Sequence, residues 1–147
     1  MPMGKGAQAR ALFMEGCNCS QSVAAAFSDQ IGMPIDQVKR LTIGFGAGIG
    51  RMREVCGAIS GMAFVISALY DEDKGSVYAR IQDVAGQFRE LNGSIICRDL
   101  LGLDQPGASS PVPQARTSEY YATRPCPRLV EEAADILERY IAENPPA

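Results

Sequence analysis

Between Val55 and Tyr70 the chain reads VCGAISGMAFVISALY, 16 residues without a charge and with only two glycines and two serines. A helix needs about 20 predominantly apolar residues to cross a bilayer. The run is therefore read as a buried core helix, Glu54 to Tyr70, and the chain must supply further apolar faces to cover it. No membrane insertion is expected.

Those faces are visible on both sides. AQARALFMEG and CSQSVAAAFSDQIG carry helical spacing and are separated by Gly16. In the second, Val23, Phe27 and Ile31 recur at i, i+4 and i+8, and Gly32 ends the helix. MPIDQVKRLTIGF reads as a shorter helix with Val38 and Leu41 inward. SVYARIQDVAGQFRELNG has Ser76 as N-cap, Gly93 just past its end, and Val77, Ile81, Val84 and Phe88 inward. PRLVEEAADILERYIAEN closes the chain with Leu129, Ala133, Ile136, Leu137 and Tyr140 inward. GFGAGIG, with glycine at alternate positions, suits neither regular element and is read as a turn whose backbone packs closely against a neighbour. LDQPGASSPVPQARTS is a Pro/Gly/Ser-rich loop. The expectation is an all-α single domain over 1–147, about five main helices around the central one, with flexible ends and a loop near 103–118.

Composition narrows the function. The 147 residues carry a net charge of −3, and the basic residues are scattered, as at Lys39-Arg40 and Arg51/Arg53. Nucleic acid is not an expected partner, since phosphate binding needs clustered Lys and Arg. The amino terminus has no apolar signal-type core, so the protein is read as cytoplasmic. There is no histidine. Triads, Cys–His dyads and His metal sites are thereby excluded. Cysteine and carboxylate are left to carry any chemistry.

The cysteines are Cys17, Cys19, Cys56, Cys97 and Cys126, with no C-x-x-C pair. From Cys19 onward the gaps are 37, 41 and 29 residues, too wide for one local metal loop, so a joint site must be assembled by the fold. Four of them share a context. Cys19 follows Asn18, a good N-cap. Cys56 lies in the first turn of the central helix, Cys97 opens CRDLLG, and Cys126 precedes Pro127 and so stands at an N-cap. Helix starts offer unpaired N–H groups and a dipole that favour thiolate, the form that attacks disulfides and binds metals. Buried filler is the competing reading for each cysteine taken singly. Gly57 and Gly61, four apart, let another backbone approach Cys56. Glu54 is read as a first-turn carboxylate more readily than as a proton acceptor.

In order, NCSQSVAAAF, GFGAGIGRMREVCGAISG, CRDLLG and CPRLVEEAADIL resemble the C-GCAxxG-C-C family of redox-active proteins, from Gly16 to about Tyr140. The family motif falls on Cys56-Gly57-Ala58-Ile59-Ser60-Gly61. The resemblance implies that Cys19, Cys56, Cys97 and Cys126 are the defining set and that Cys17 is extra. It implies redox activity on the strength of those cysteines, and the expected chemistry is thiol–disulfide exchange or electron transfer with an unknown redox partner or small-molecule substrate. Cys56 is read as the nucleophile, Cys19 as its resolving partner, and Cys97 and Cys126 as closing the site. The family is also similar to the amino-terminal part of split-Soret cytochromes. From that follow the alternative of an iron–sulfur cluster on the same four cysteines and the expectation of a homodimer. Covalent haem is excluded, because no C-x-x-C-H is present. A third reading is a non-enzymatic interaction module with core cysteines.

Overall fold

The computed structural model describes residues 3–103 and 107–147. Met1, Pro2 and residues 104–106 of the expected loop lie outside the described residues. Among these, the regular structure is helical: α1 (Lys5–Met14), α2 (Cys19–Ala26), α3 (Ser28–Ile31), α4 (Ile35–Thr42), α5 (Gly57–Leu69), α6 (Lys74–Asn92), α7 (Cys97–Leu100), α8 (Ser118–Thr123) and α9 (Cys126–Glu143), with a 3-10 turn at Ile43–Phe45. The protein is all-α. Among the described residues no helix is long and apolar enough to cross a membrane.

The apolar periodicities become the core. α5 packs against α2, α6 and α9, and α9 also packs against α1 and α2. Phe13, Phe27, Met62 and Phe88 are fully buried where these helices meet. Burying each such side chain contributes roughly 1.5–3 kcal/mol. Val84, Phe88, Leu129, Ala133, Ile136, Leu137 and Tyr140 face inward as their spacing predicts, and Val77 and Ile81 are half-buried against the core. Gly32 and Gly93 end α3 and α6 in the left-handed conformation.

Several boundaries differ from expectation. The central helix starts at Gly57, with Cys56 as its N-cap, because residues 54–56 are drawn into pairing with the segment before α7. Phe27 interrupts the expected α2 helix, and α3 follows it. Asp73, not Ser76, caps α6, and the Ser76 hydroxyl donates to Asp73 Oδ1 at 2.6 Å. Leu41 is 48% exposed. Its expected place is taken by Thr42, four residues after Val38, whose hydroxyl donates to the Val38 carbonyl. The segment after the Pro-rich loop contains α8, capped by the Thr117 side chain.

The glycine segment folds into a left-handed turn. Five consecutive residues, Ala47 to Arg51, have positive φ, and Arg53 follows with φ 62°. Three of the five are not glycine, and each such residue costs roughly 1–2 kcal/mol relative to right-handed backbone. The turn is held by the Glu54 amide donating to the Gly48 carbonyl at 3.0 Å and the Arg53 amide donating to Ala47 at 3.2 Å. A side chain at Gly48 would collide with the backbone of Arg53 and Glu54.

Candidate functional site

Four chain segments deliver the four spaced cysteines to one place. Asn18 caps α2 through a reciprocal pair, its side chain accepting from the Gln21 amide at 3.0 Å while Gln21 Oε1 accepts the Asn18 amide at 3.0 Å. Cys19, the next residue, is fixed as the first of α2. Cys56 caps α5. A short antiparallel pairing then joins Cys56 to Cys97: the Cys56 amide donates to the Ile95 carbonyl at 2.8 Å, and the Cys97 amide donates to Glu54 at 2.6 Å. Cys126 is the first residue of α9, one position later than expected, with Pro125 as N-cap.

The crossing of α2 and α5 brings the first pair together. A Cβ on Gly57 would lie 3.0 Å from Cys19 Cβ, and one on Gly61 would lie 2.9 Å from Val23 Cβ. Only glycine permits that approach, as the spacing of these two residues predicts.

Cys19, Cys56, Cys97 and Cys126 all line a single cavity of about 460 Å³. Each is buried, and none is in a disulfide. Cys17, half-buried, lies outside the lining. Glu54 also lies outside it, exposed and 3.9 Å from Arg98, so it does not act as a first-turn carboxylate of α5.

The thiols are electrostatically unequal, and the expectation of four thiolate-favouring helix starts holds for one. Cys126 is lowered to about 7, first by a hydrogen bond from Cys19 and then by the charges of Arg124, Arg116 and Arg53. Cys19 is pushed up by that same hydrogen bond and by burial. Burial pushes Cys56 up to about 12, although the amides of Ala58 and Ile59 pull the other way. Burial likewise raises Cys97 against the opposing hydrogen bond from Arg53. Desolvation outweighs the helix start at three of the four thiols, even at Cys97 where a guanidinium assists it.

The arginines are the residues that sequence reasoning missed. Arg51, Arg53 and Arg124 line the cavity together with the thiols, and the lining contains no aspartate or glutamate among the described residues. Arg53 is 5% exposed, and donates through Nε to Ser109 Oγ at 2.8 Å and through Nη1 to Cys97 Sγ at 3.6 Å. Arg51 Nε donates to the Ser110 carbonyl at 2.7 Å, and the Ser109 amide donates to the Arg51 carbonyl at 2.9 Å. These bonds strap the Pro-rich loop beside the cavity. Arg116 lies 4.1 Å above the Phe13 ring and donates to the carbonyls of Phe13 and Cys17. A legible signal existed: Arg53 precedes Cys56 by three residues and Arg124 precedes Cys126 by two.

Among the described residues, no three Cys, Asp or Glu side chains gather closely enough to hold a single metal ion.

No solved structure matches the chain. An uncharacterized protein of Archaeoglobus fulgidus is 30% identical over 104 residues, spanning 60% of this chain and 68% of that protein. Residues 17–140 match the family described as "Putative redox-active protein (C_GCAxxG_C_C)". With all four blocks inside that match, the chain belongs to the C-GCAxxG-C-C family.

Proposed function

We propose that this protein exchanges thiols and disulfides, with Cys126 as the attacking thiolate and Cys19 as its resolving partner. The observation that carries the reading is the convergence of four thiols from four helix starts on one cavity. The inequality of the thiols supports the assignment. A thiolate near neutrality attacks efficiently, and its neighbour keeps a proton until it is needed. Cys56, the nucleophile expected from sequence, is too strongly desolvated for the first step.

Cys126 Sγ attacks one sulfur of a disulfide R–S–S–R, forming a mixed disulfide and expelling RS⁻, which takes a proton from solvent. Cys19 attacks Cys126 Sγ and expels the second RS⁻, which takes up the proton that Cys19 gives up, leaving a Cys19–Cys126 disulfide. Two electrons pass from the protein to the substrate, which leaves as two thiols. A small-molecule or protein dithiol restores the protein by the reverse exchange. Cys56 and Cys97, diagonal neighbours in the pairing of residues 54–56 with 95–97, act in this reading as a second pair of thiols that receives the oxidation by the same chemistry.

The test is disulfide mapping after brief exposure of the reduced protein to hydroxyethyl disulfide. The expected first product is Cys19–Cys126, and Cys126→Ser abolishes it. Four thiols that remain reduced after prolonged exposure would overturn the reading. So would stoichiometric iron and acid-labile sulfide in protein purified without oxygen. That outcome would favour the second reading, a cluster on the same four sulfurs, which are chemically its usual donor set. Arginines without carboxylates around the cavity support this second reading by offsetting a cluster's negative charge.

A further inference from the structure

In a chain with a net charge of −3, the cavity wall carries three arginines and no carboxylate among the described residues. The other described arginines with ionic partners meet them elsewhere: Arg10 with Glu131, Arg80 with Glu72, Arg98 with Glu54 and Arg128 with Glu132. Arg53 is the most telling of the three, being buried to 5% exposure with only a hydroxyl and a thiol as partners. The Cys126 thiolate is the one anion that these arginines share, and buried cations that outnumber the anions beside them favour a ligand that supplies the missing charge. Arg53 Nη2 has no protein partner among the described residues, yet no side-chain nitrogen there is both sealed from solvent and unpartnered. Nη2 is therefore open to solvent, on a residue that lines the cavity. Arg51 spends its Nε on Ser110, and Arg124 donates through Nη2 to Gln114. Among the described residues, guanidinium donors of all three remain for a ligand.

We propose that the cavity takes a small-molecule disulfide or thiol bearing carboxylates, bound by Arg51, Arg53 and Arg124 with its sulfur against the cysteines. The substrate class rests on the thiol-exchange reading; the anion site itself does not. Guanidinium forks match carboxylates in two parallel hydrogen bonds. The remaining wall, from Phe13, Leu100, Leu101, Pro111 and Pro113, suits a short aliphatic chain between the charged end and the sulfur. Attack by the protein thiolate expels a carboxylate-bearing thiolate, and the arginines hold that anion as charge moves onto it.

Three disulfides of similar length test the substrate class: dianionic dithiodipropionate, neutral hydroxyethyl disulfide and dicationic cystamine. The reduced protein is expected to react with the dianion at least about tenfold faster than with cystamine at low salt, within the range of electrostatic steering. Arg51→Gln/Arg124→Gln should collapse that ratio toward one. The ratio is taken within each protein, so a general change in thiol reactivity cancels. Arg53→Gln is a harsher variant, and the double variant keeps the test open if it fails to fold. Suberate, the carbon isostere of the dianion, tests the anion site without chemistry. Calorimetric binding to the reduced protein, weakened in the double variant, is expected. A rate ratio of one or below in the wild type overturns the substrate class. Absent suberate binding, or binding unchanged in the double variant, overturns the anion site. If suberate binds as expected and none of the three disulfides reacts, the anion site stands and the thiol-exchange reading falls.

Discussion

Arg53 Nη1 donates to Cys97 Sγ at 3.6 Å from a backbone held at φ 62°. The same guanidinium also lowers Cys126 across the cavity. A cation stabilises thiolate, so its removal raises a thiol pKa. Arg53→Gln is therefore expected to move the alkylation midpoint of Cys126 upward from about 7 and to raise Cys97 further. Residue-resolved alkylation against pH measures both. Unchanged midpoints in a folded variant would remove Arg53 from the electrostatics of the site.

Stability should depend on pH through the same thiol. Cys126 lies near 7 in the fold, against 9.0 for an ordinary thiol. Between those values the unfolded chain binds more protons than the native one, so stability rises with pH. The contribution is complete above 9.0 and is lost as pH falls through about 7. Cys19, Cys56 and Cys97 are raised, so above 9.0 they work in the opposite direction. In denaturant melts of reduced protein, the wild type should gain on Cys126→Ser as pH rises through this window. A constant difference between the two would contradict the assignment of Cys126 as the ionised thiol.

Gly61→Val places new atoms against Val23 and the Ser20 carbonyl, with the first carbon already 2.9 Å from Val23 Cβ. Overpacking of this kind costs on the order of 1–3 kcal/mol. The melt should shift accordingly, and disulfide mapping should show slower closure of Cys19 because α2 is forced away from α5. Cys56→Ser, close to isosteric, should keep the melt near the wild type while blocking transfer of oxidation to Cys97.

Cys17→Ser should leave the cavity chemistry intact. The Cys17 side chain does not line the cavity, and its structural contact is a carbonyl that accepts from Arg116 at 2.9 Å, which serine retains. Loss of exchange in this variant would place the wrong member of the Cys-x-Cys pair in the site.

The left-handed turn gives a stability pair. Ile49→Gly relieves a strained φ of 64° at a partly exposed position and should be neutral or stabilising by up to about 1 kcal/mol. Gly48→Ala, directed at the Arg53–Glu54 backbone, should destabilise. Equal effects from the two would show that the turn does not hold that backbone tightly.

The sequence by itself determined the helical class, the inward faces of α6 and α9, and the glycine contacts at Gly57 and Gly61. These follow from local rules: apolar recurrence near 3.6 residues, caps, and the exclusion of side chains where backbones cross. It also marked which four cysteines share a helix-start context, although α9 starts one residue earlier than its proline suggested, at Cys126. The reversal among the thiols was decided in three dimensions. A helix start is a local property, whereas desolvation, the Cys19–Cys126 hydrogen bond and the arginine charges depend on packing across more than 100 residues of chain, from Cys19 to Cys126. The two-residue spacing of Arg51 and Arg53 gave no hint that both would line a cavity without a carboxylate. That placement needs the left-handed turn and the strap at Ser109 and Ser110, partners 56 and 59 residues away. Periodicity records which face of a helix is buried, and only tertiary contact sets which charges surround a buried sulfur.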